Sequence, residues 1–320
     1  MRQALVLTDL HGKEAKAMFP TNTSAGALAA CKFGLAEGLR HSRPEVTVDQ
    51  VGYVDTPEDN LLADLSLSDF AADMEGGAGH ELRDKFRAVH SSAALVVNSF
   101  APLRVAATPF SLLGHRQLKV EGFERKYPTG LPRAQPPHLD VVLSGAEGLV
   151  GIESKCLEYL TPKMPKFSDR YQTGIVDERA TGSWYAEMLA IADGKRRYRF
   201  LDVAQLIKHA FGLANGTADQ PVTLVYVYWE PMDAGLSPLF GKHRQEIAEF
   251  AERIAGGHPR FEALSYPELW EQWAGSPDEV LQDHISALRA RYEVPAWAWE
   301  GVEWSDGRLR TARWLDEEEP

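Results

Sequence analysis

The chain has 320 residues, 44% apolar and 25% charged, which is ordinary globular composition and enough for one large domain or an elaborated core. No apolar run approaches the ~20 residues of a membrane span, and the opening MRQALVLTDLHGKEAKAMF meets charged residues too early for a secretory leader. Two cysteines, Cys31 and Cys156, exclude a disulfide framework and a four-cysteine zinc site, so a reducing cytoplasm is the expected location.

The formal net charge of −12 argues, at first sight, against nucleic acid. Its distribution softens that argument. Residues 44–84 carry eleven acids and one base, and residues 293–320 carry eight acids and three bases. The rest of the chain is weakly basic, at +3, and contains KRRYR, Lys195 to Arg199. A basic centre with acidic flanks is compatible with a phosphate-binding cleft.

In chain order, TSAGALAACKFGLAEGL predicts a helix capped by Thr23 or Ser24. An acidic, irregular stretch follows and ends in EGGAGH. The stretch ELRDKFRAVHSSAALVVN predicts a helix over 81–98, with Leu82, Phe86, Val89, Ala93 and Val97 on one face. Glu81 falls in its first turn, where the helix dipole favours an acid, four residues before Lys85. RQLKVEGFERKYP predicts a strand ended by Pro128. A proline-rich loop leads to HLDVVLSGAEGLVGIESK, which reads as two strands around a turn.

Residues 161–180 are polar and read as loop. SWYAEMLAIADGKRRYRF predicts a helix ending near Gly194 or the basic cluster. LDVAQLIKHAFGLANG predicts a second, with Asp202 as N-cap and a buried stripe of Val203, Leu206, Ile207, Ala210 and Phe211. Gln205, Lys208 and His209 fall on its other side. PVTLVYVYWEP reads as a strand buried on both faces and parallel to its neighbour. Three further helices are expected around 240–256, 266–274 and 278–291. The order predicts an α/β fold, α-β-β-β-α-β, with a central mixed sheet flanked by helices. An acidic elaboration (1–80) and a mainly helical extension (231–320) would adjoin a core at 81–230.

The hairpin carries the chemistry. With its turn between Ala146 and Glu147, paired positions sum to 293 and Asp140 lands opposite Glu153. Lys155 shares their face and lies opposite His138. Leu139, Val141, Ile152 and Ser154 take the other face. Facing carboxylates repel unless something neutralises them. A divalent cation such as Mg²⁺ does so with hard oxygen ligands, and a neighbouring lysine can stabilise charge on phosphorus. These are the parts of metal-assisted phosphodiester hydrolysis.

HLDVVLSGAEGLVGIESK resembles the metal-binding signature of the PD-(D/E)XK nuclease superfamily, the restriction-endonuclease-like fold. The resemblance covers residues 81–230. It implies Mg²⁺, with Mn²⁺ as substitute, on Asp140 and Glu153, with Lys155 beside the attacking water. It implies Glu81 as a further metal-binding acid and Gln205 as the polar residue of the helix after the motif, assisted by Lys208 and His209. His138, Lys195, Arg196 and Arg197 are the expected substrate contacts. The substrate implied is DNA, with RNA as the other choice, and a homodimer would cut both strands. His138-Leu139 stands where the family has its proline, and Pro136-Pro137 lies slightly earlier. SSAALVVNSF and ESKCLEYL also resemble a bacterial group of restriction endonucleases within the superfamily.

Two rival readings remain. A DNA-binding or assembly module could keep the fold without catalysis, although intact Asp140, Glu153 and Lys155 count against it. A glycosidase could use Asp140 and Glu153 as acid and nucleophile without metal.

Overall fold

The computed structural model describes the chain apart from residues 1–5, 9–13, 17–18, 76–84, 132, 174–181, 218–219, 306–307 and 315–320. It starts with a ribbon of β1 (Val6–Thr8) and β2 (Glu14–Lys16), then helix α1 (Ser24–Ser42). Thr23 caps α1 by accepting the Gly26 N–H at 3.1 Å. The short α2 (Ala71–Glu75) and then α3 (Ser92–Val105) precede the strands β3 (Phe110–Leu112), β4 (His115–Lys126), β5 (His138–Gly145) and β6 (Gly148–Lys155). Helices α4 (Asp169–Thr173), α5 (Ser183–Ala192) and α6 (Val203–Gly216) lead to β7 (Val222–Tyr228). After it come α7 (Pro238–Arg253), β8 (Arg260–Ser265), α8 (Tyr266–Ala274), α9 (Glu279–Tyr292) and a ribbon of β9 (Trp299–Ser305) and β10 (Arg308–Trp314).

The main sheet has six strands in the order β3-β4-β5-β6-β7-β8. The first four form an antiparallel meander, and β6, β7 and β8 run parallel. Every residue of β7 is buried, as its nearly continuous apolar run predicts. The mixed sheet, its flanking helices and the α-β-β-β-α-β order are those expected from the sequence.

The short elements β1, β2, α2, β3, α4, β9 and β10 are not among those expected, and two further elements differ from expectation. The helix expected over 81–98 starts later, at Ser92, because Ser91 accepts the Ala94 N–H at 3.2 Å and caps it. Lys85–Arg87 form a separate 3-10 turn. Phe86 and Val89 are buried with α3, so two elements sharing one core mimic the period of a single helix. Glu81 and Leu82 lie outside the described residues. The second difference is β8, six residues between Pro259 and Pro267, which adds a parallel edge strand from the segment expected to be mainly helical.

Side chains identify the two layers of helices. Glu153 meets His209 of α6 and Tyr226 meets His243 of α7 on one face of the sheet. Ser154 meets Tyr266 of α8 on the other, where α3 packs across β4, β5 and β6. A buried polar knot joins the N-terminal segment to this second layer. Asn60 donates to the Phe86 and Ala88 carbonyls, and Asn98 donates to the Asn60 carbonyl and Tyr292 Oη. Arg291, 1% exposed, donates to Leu35 O and Asn60 Oδ1.

Helix α6 sits very close to the strands below it. A Cβ on Gly212 would lie 2.3 Å from the Tyr127 carbonyl oxygen. Alanine normally improves a helix interior by about 1 kcal/mol over glycine. Here the overlap is with backbone, and relieving it costs about 1–3 kcal/mol. Gly212→Ala should therefore lower stability to urea. An increase would show that α6 is not pinned against Tyr127.

Candidate active site

The expected register holds along the hairpin. Val141 pairs with Ile152, Leu143 with Val150 and Gly145 with Gly148. The regular ladder stops one step before the acids. Beyond Val141, Asp140 Oδ2 accepts the Ser154 N–H at 2.6 Å, so a side chain takes a donor that the neighbouring strand would have used. Alternation also fails at this point. Leu139 Cδ1 lies 2.7 Å from where a Gly151 Cβ would be, and Leu213 of α6 is beside it at 3.2 Å. Leu139 thus packs on the Glu153 side rather than the opposite face assigned by simple alternation. The two strands part at the acids, which opens the sheet edge there.

Helix α6 follows β6 in matching steps. Leu213 lies over Gly151 and His209 over Glu153, while Gln205 and Lys155 line one cleft. Four helical residues advance about 6 Å and two strand residues about 6.6 Å, so the antiparallel elements stay in register over three contacts. Gly151, with no side chain, lets the helix come near enough for His209 to reach the acid. His209, read as part of a polar helix face, is therefore buried at 1% exposure.

The charges divide unequally. Glu153 is 1% exposed, forms an ion pair with Lys155, and has His209 Nε2 2.8 Å from its other oxygen. Burial alone would raise its pKa, but Lys155 and His209 together overcome that and hold it at about 2. Asp140 moves the other way. Burial and then the Glu153 charge push it well above the usual aspartate range, against the pull of Lys155. No ion-pair partner for Asp140 occurs among the described residues. Lys155 would lose its proton more readily on burial, but Glu153 first and then Asp140 and Glu158 raise its pKa above the normal lysine value.

A third acid flanks the pair. Glu124 lies between the partners Phe123–Val141 and Arg125–Leu139, which places it opposite Asp140 on β4. Its carboxylate is 3.3 Å from His138 Nδ1, and it adds to the field that raises Asp140. Among the described residues no three metal-ligating side chains gather into one cluster. Sequence reasoning missed Glu124, although FERK on a strand next to the hairpin was the available signal.

A cleft of about 410 Å³ opens above Lys155. Gln205, Glu158, Thr161, Lys163, Arg199 and Tyr226 line it as well. The other expected contacts lie elsewhere. Lys208 Nζ sits 6.0 Å from the Phe167 ring and 5.9 Å from the Tyr171 ring, facing α4. Lys195, Arg196 and Arg197 are exposed and do not line the cleft, and Lys195 pairs with Asp193 at 2.8 Å. Arg199, the last residue of the same cluster, is the one that reaches the cleft. Glu81 cannot be placed, because it lies outside the described residues.

The family model described as Restriction Endonuclease associating with ARP matches residues 36–293. The chain belongs to that family. The match contains every element from β3 to α9 and all of Asp140, Glu153, Lys155 and Gln205. The family is restriction-endonuclease-associated, which fits an acid pair and lysine at the opened edge of a mixed sheet. No curated protein and no solved structure matches the chain. No described helix is long and apolar enough to cross a membrane.

Proposed function

We propose that this family member is a metal-dependent endonuclease of the PD-(D/E)XK type that hydrolyses phosphodiester bonds in DNA. The observation that carries the reading is the point where β5 and β6 part. There an acid with no cation partner among the described residues lies beside a buried Glu153–Lys155 pair, whose lysine lines a cleft. Keeping repelling acids in this arrangement costs stability, so a functional reason is needed.

The donor chemistry fits a divalent cation. Asp140 and Glu153 are hard oxygen ligands, and Glu153 Oε2, buried and 2.8 Å from His209 Nε2, has no aligned hydrogen bond. Mg²⁺ or Mn²⁺ held by these two residues would supply Lewis-acid polarisation of a phosphoryl oxygen. The chain's own residues do the rest. Lys155, held cationic, stabilises negative charge developing on the phosphoryl oxygens. His209 and Lys155 grip Glu153 from both sides and fix its orientation. Gln205 enters the same cleft, where it can hold a water or a phosphate oxygen.

The test is incubation of purified protein with supercoiled plasmid in Mg²⁺, Mn²⁺ or EDTA. Nicking is expected in either metal and none in EDTA. Cleavage that survives EDTA would favour a metal-independent site. DNA binding without cleavage in either metal would favour a non-catalytic module, a reading to which the closed Glu153–Lys155 pair also lends itself.

A further inference from the structure

The cleft above Lys155 contains charges of two kinds. Its acids are engaged with nearby backbone. Glu158 Oε2 accepts the Cys156 N–H at 2.7 Å, and Asp202 Oδ1 accepts the Gln205 N–H at 3.1 Å as the α6 cap. Its two outer cations are not so engaged. Lys163 and Arg199 are both exposed, line the cleft, and have no acidic partner among the described residues. Arg199 has only the neighbouring Phe200 ring, 5.5 Å away.

The backbone that presents Arg199 is fixed from behind. The Glu246 carboxylate, on α7, accepts the N–H groups of Arg199, Phe200 and Leu201 at 2.9, 2.7 and 2.9 Å. Phe200 and Leu201 are buried, so residue 199 is held at the cleft mouth directly before the α6 cap. A chain of net charge −12 thus places two cations with no acidic partner among the described residues at the cleft that Lys155 lines. Past Glu158 and Thr161 the surface continues into a second cleft of about 750 Å³, which has Lys32 on its wall. The path is longer than a single phosphate requires.

We propose that Arg199 and Lys163 clamp the backbone phosphates next to the scissile one, with Glu246 as the positioning residue for Arg199. This rests on the nuclease reading and adds the residues that would hold the strand. Arginine takes a phosphate bidentately and lysine takes it as a point charge. Each contact releases condensed counterion, so each leaves a mark on the salt dependence of binding.

The experiment is fluorescence anisotropy of a labelled DNA oligonucleotide, single-stranded and duplex, in EDTA across a salt series. The full-length wild type is compared with Arg199→Ala, Lys163→Ala, Glu246→Ala and Arg199→Ala/Glu246→Ala. Lys119→Ala is the charge control, exposed on β4 beside Ser144 at the far, turn end of the hairpin. Arg199→Ala and Lys163→Ala should each weaken binding about 3–10-fold and lower the salt slope by about 1. Lys119→Ala should stay within about twofold of wild type. Glu246→Ala should match Arg199→Ala, and the double variant should lose no more, because both act through one contact. If Glu246→Ala does not fold, the Arg199 and Lys163 arms decide. Wild-type binding with no greater loss in the cleft variants than in Lys119→Ala overturns the clamp and leaves the nuclease reading standing. A wild type that binds neither form of DNA overturns the clamp, and the plasmid assay in Mg²⁺ and Mn²⁺ then decides the nuclease reading.

Discussion

Lys155→Ala should lower DNA cleavage by about 10²–10⁴-fold at saturating metal. The size of the effect follows from the state of the lysine. Burial works against its charge, but Glu153, Asp140 and Glu158 more than offset it and keep the ammonium protonated. In the proposed reaction it would therefore act on the phosphate as a cation rather than as a base that removes a proton from water. Alanine would also leave Glu153, 1% exposed, with His209 as its remaining partner. The variant's unfolding midpoint must accordingly be measured beside its single-turnover rate, so that misfolding is not read as lost chemistry. Lys155→Arg, which keeps the charge, should retain more activity than alanine. A folded Lys155→Ala protein within tenfold of wild type would remove Lys155 from the chemistry.

The second large effect concerns stability. Arg291 is a buried cation held by neutral acceptors. Its Nη1 donates to Leu35 O at 2.8 Å, and its Nη2 donates to Asn60 Oδ1 at 3.0 Å and Val89 O at 3.4 Å. It thereby ties α1, the 44–84 segment and α9 together. Arg291→Met fills much of the volume but strands these acceptors in the core. The expected loss is about 1–3 kcal/mol for each buried acceptor left unpaired, offset in part because a charge is no longer buried. Against a total stability of roughly 5–15 kcal/mol, that is a large part of the fold. Urea unfolding measures it. A loss under about 1 kcal/mol would show that the knot does not hold the N-terminal segment to the core.

Much of this was legible in the residues themselves. The two-residue turn at Ala146-Glu147 sets the hairpin register, which holds as far as Val141 and Ile152, one step before the acids. The α6 stripe and its Asp202 cap were readable because packing and capping agree there. Other features depend on contacts that a linear pattern does not encode. The failure of alternation at Asp140 arises because its side chain takes the Ser154 N–H and Leu139 turns toward Leu213. His209 looked like part of a polar face, yet Gly151 lets α6 approach until the ring is buried against Glu153. Within KRRYR, charge alone could not separate Arg199 from its neighbours. The distinction comes from Glu246, 47 residues later, which fixes the backbone at residue 199.

The acid pair where β5 and β6 part is proposed as a divalent-cation site kept at the expense of stability. It is tested by unfolding wild type and Asp140→Asn at neutral pH, in EDTA and in Mg²⁺. Aspartate with a raised folded pKa is disfavoured in its ionised form, so it weakens the metal-free fold at pH values above the ordinary aspartate range. Asparagine removes that charge and still offers an oxygen to the Ser154 N–H. In EDTA the variant should therefore be at least as stable as wild type. Mg²⁺ should stabilise the wild type, by about 2.7 kcal/mol at a hundredfold excess over its dissociation constant, and leave the variant unmoved. Equal stabilisation of both proteins by Mg²⁺, or of neither, would contradict the claim.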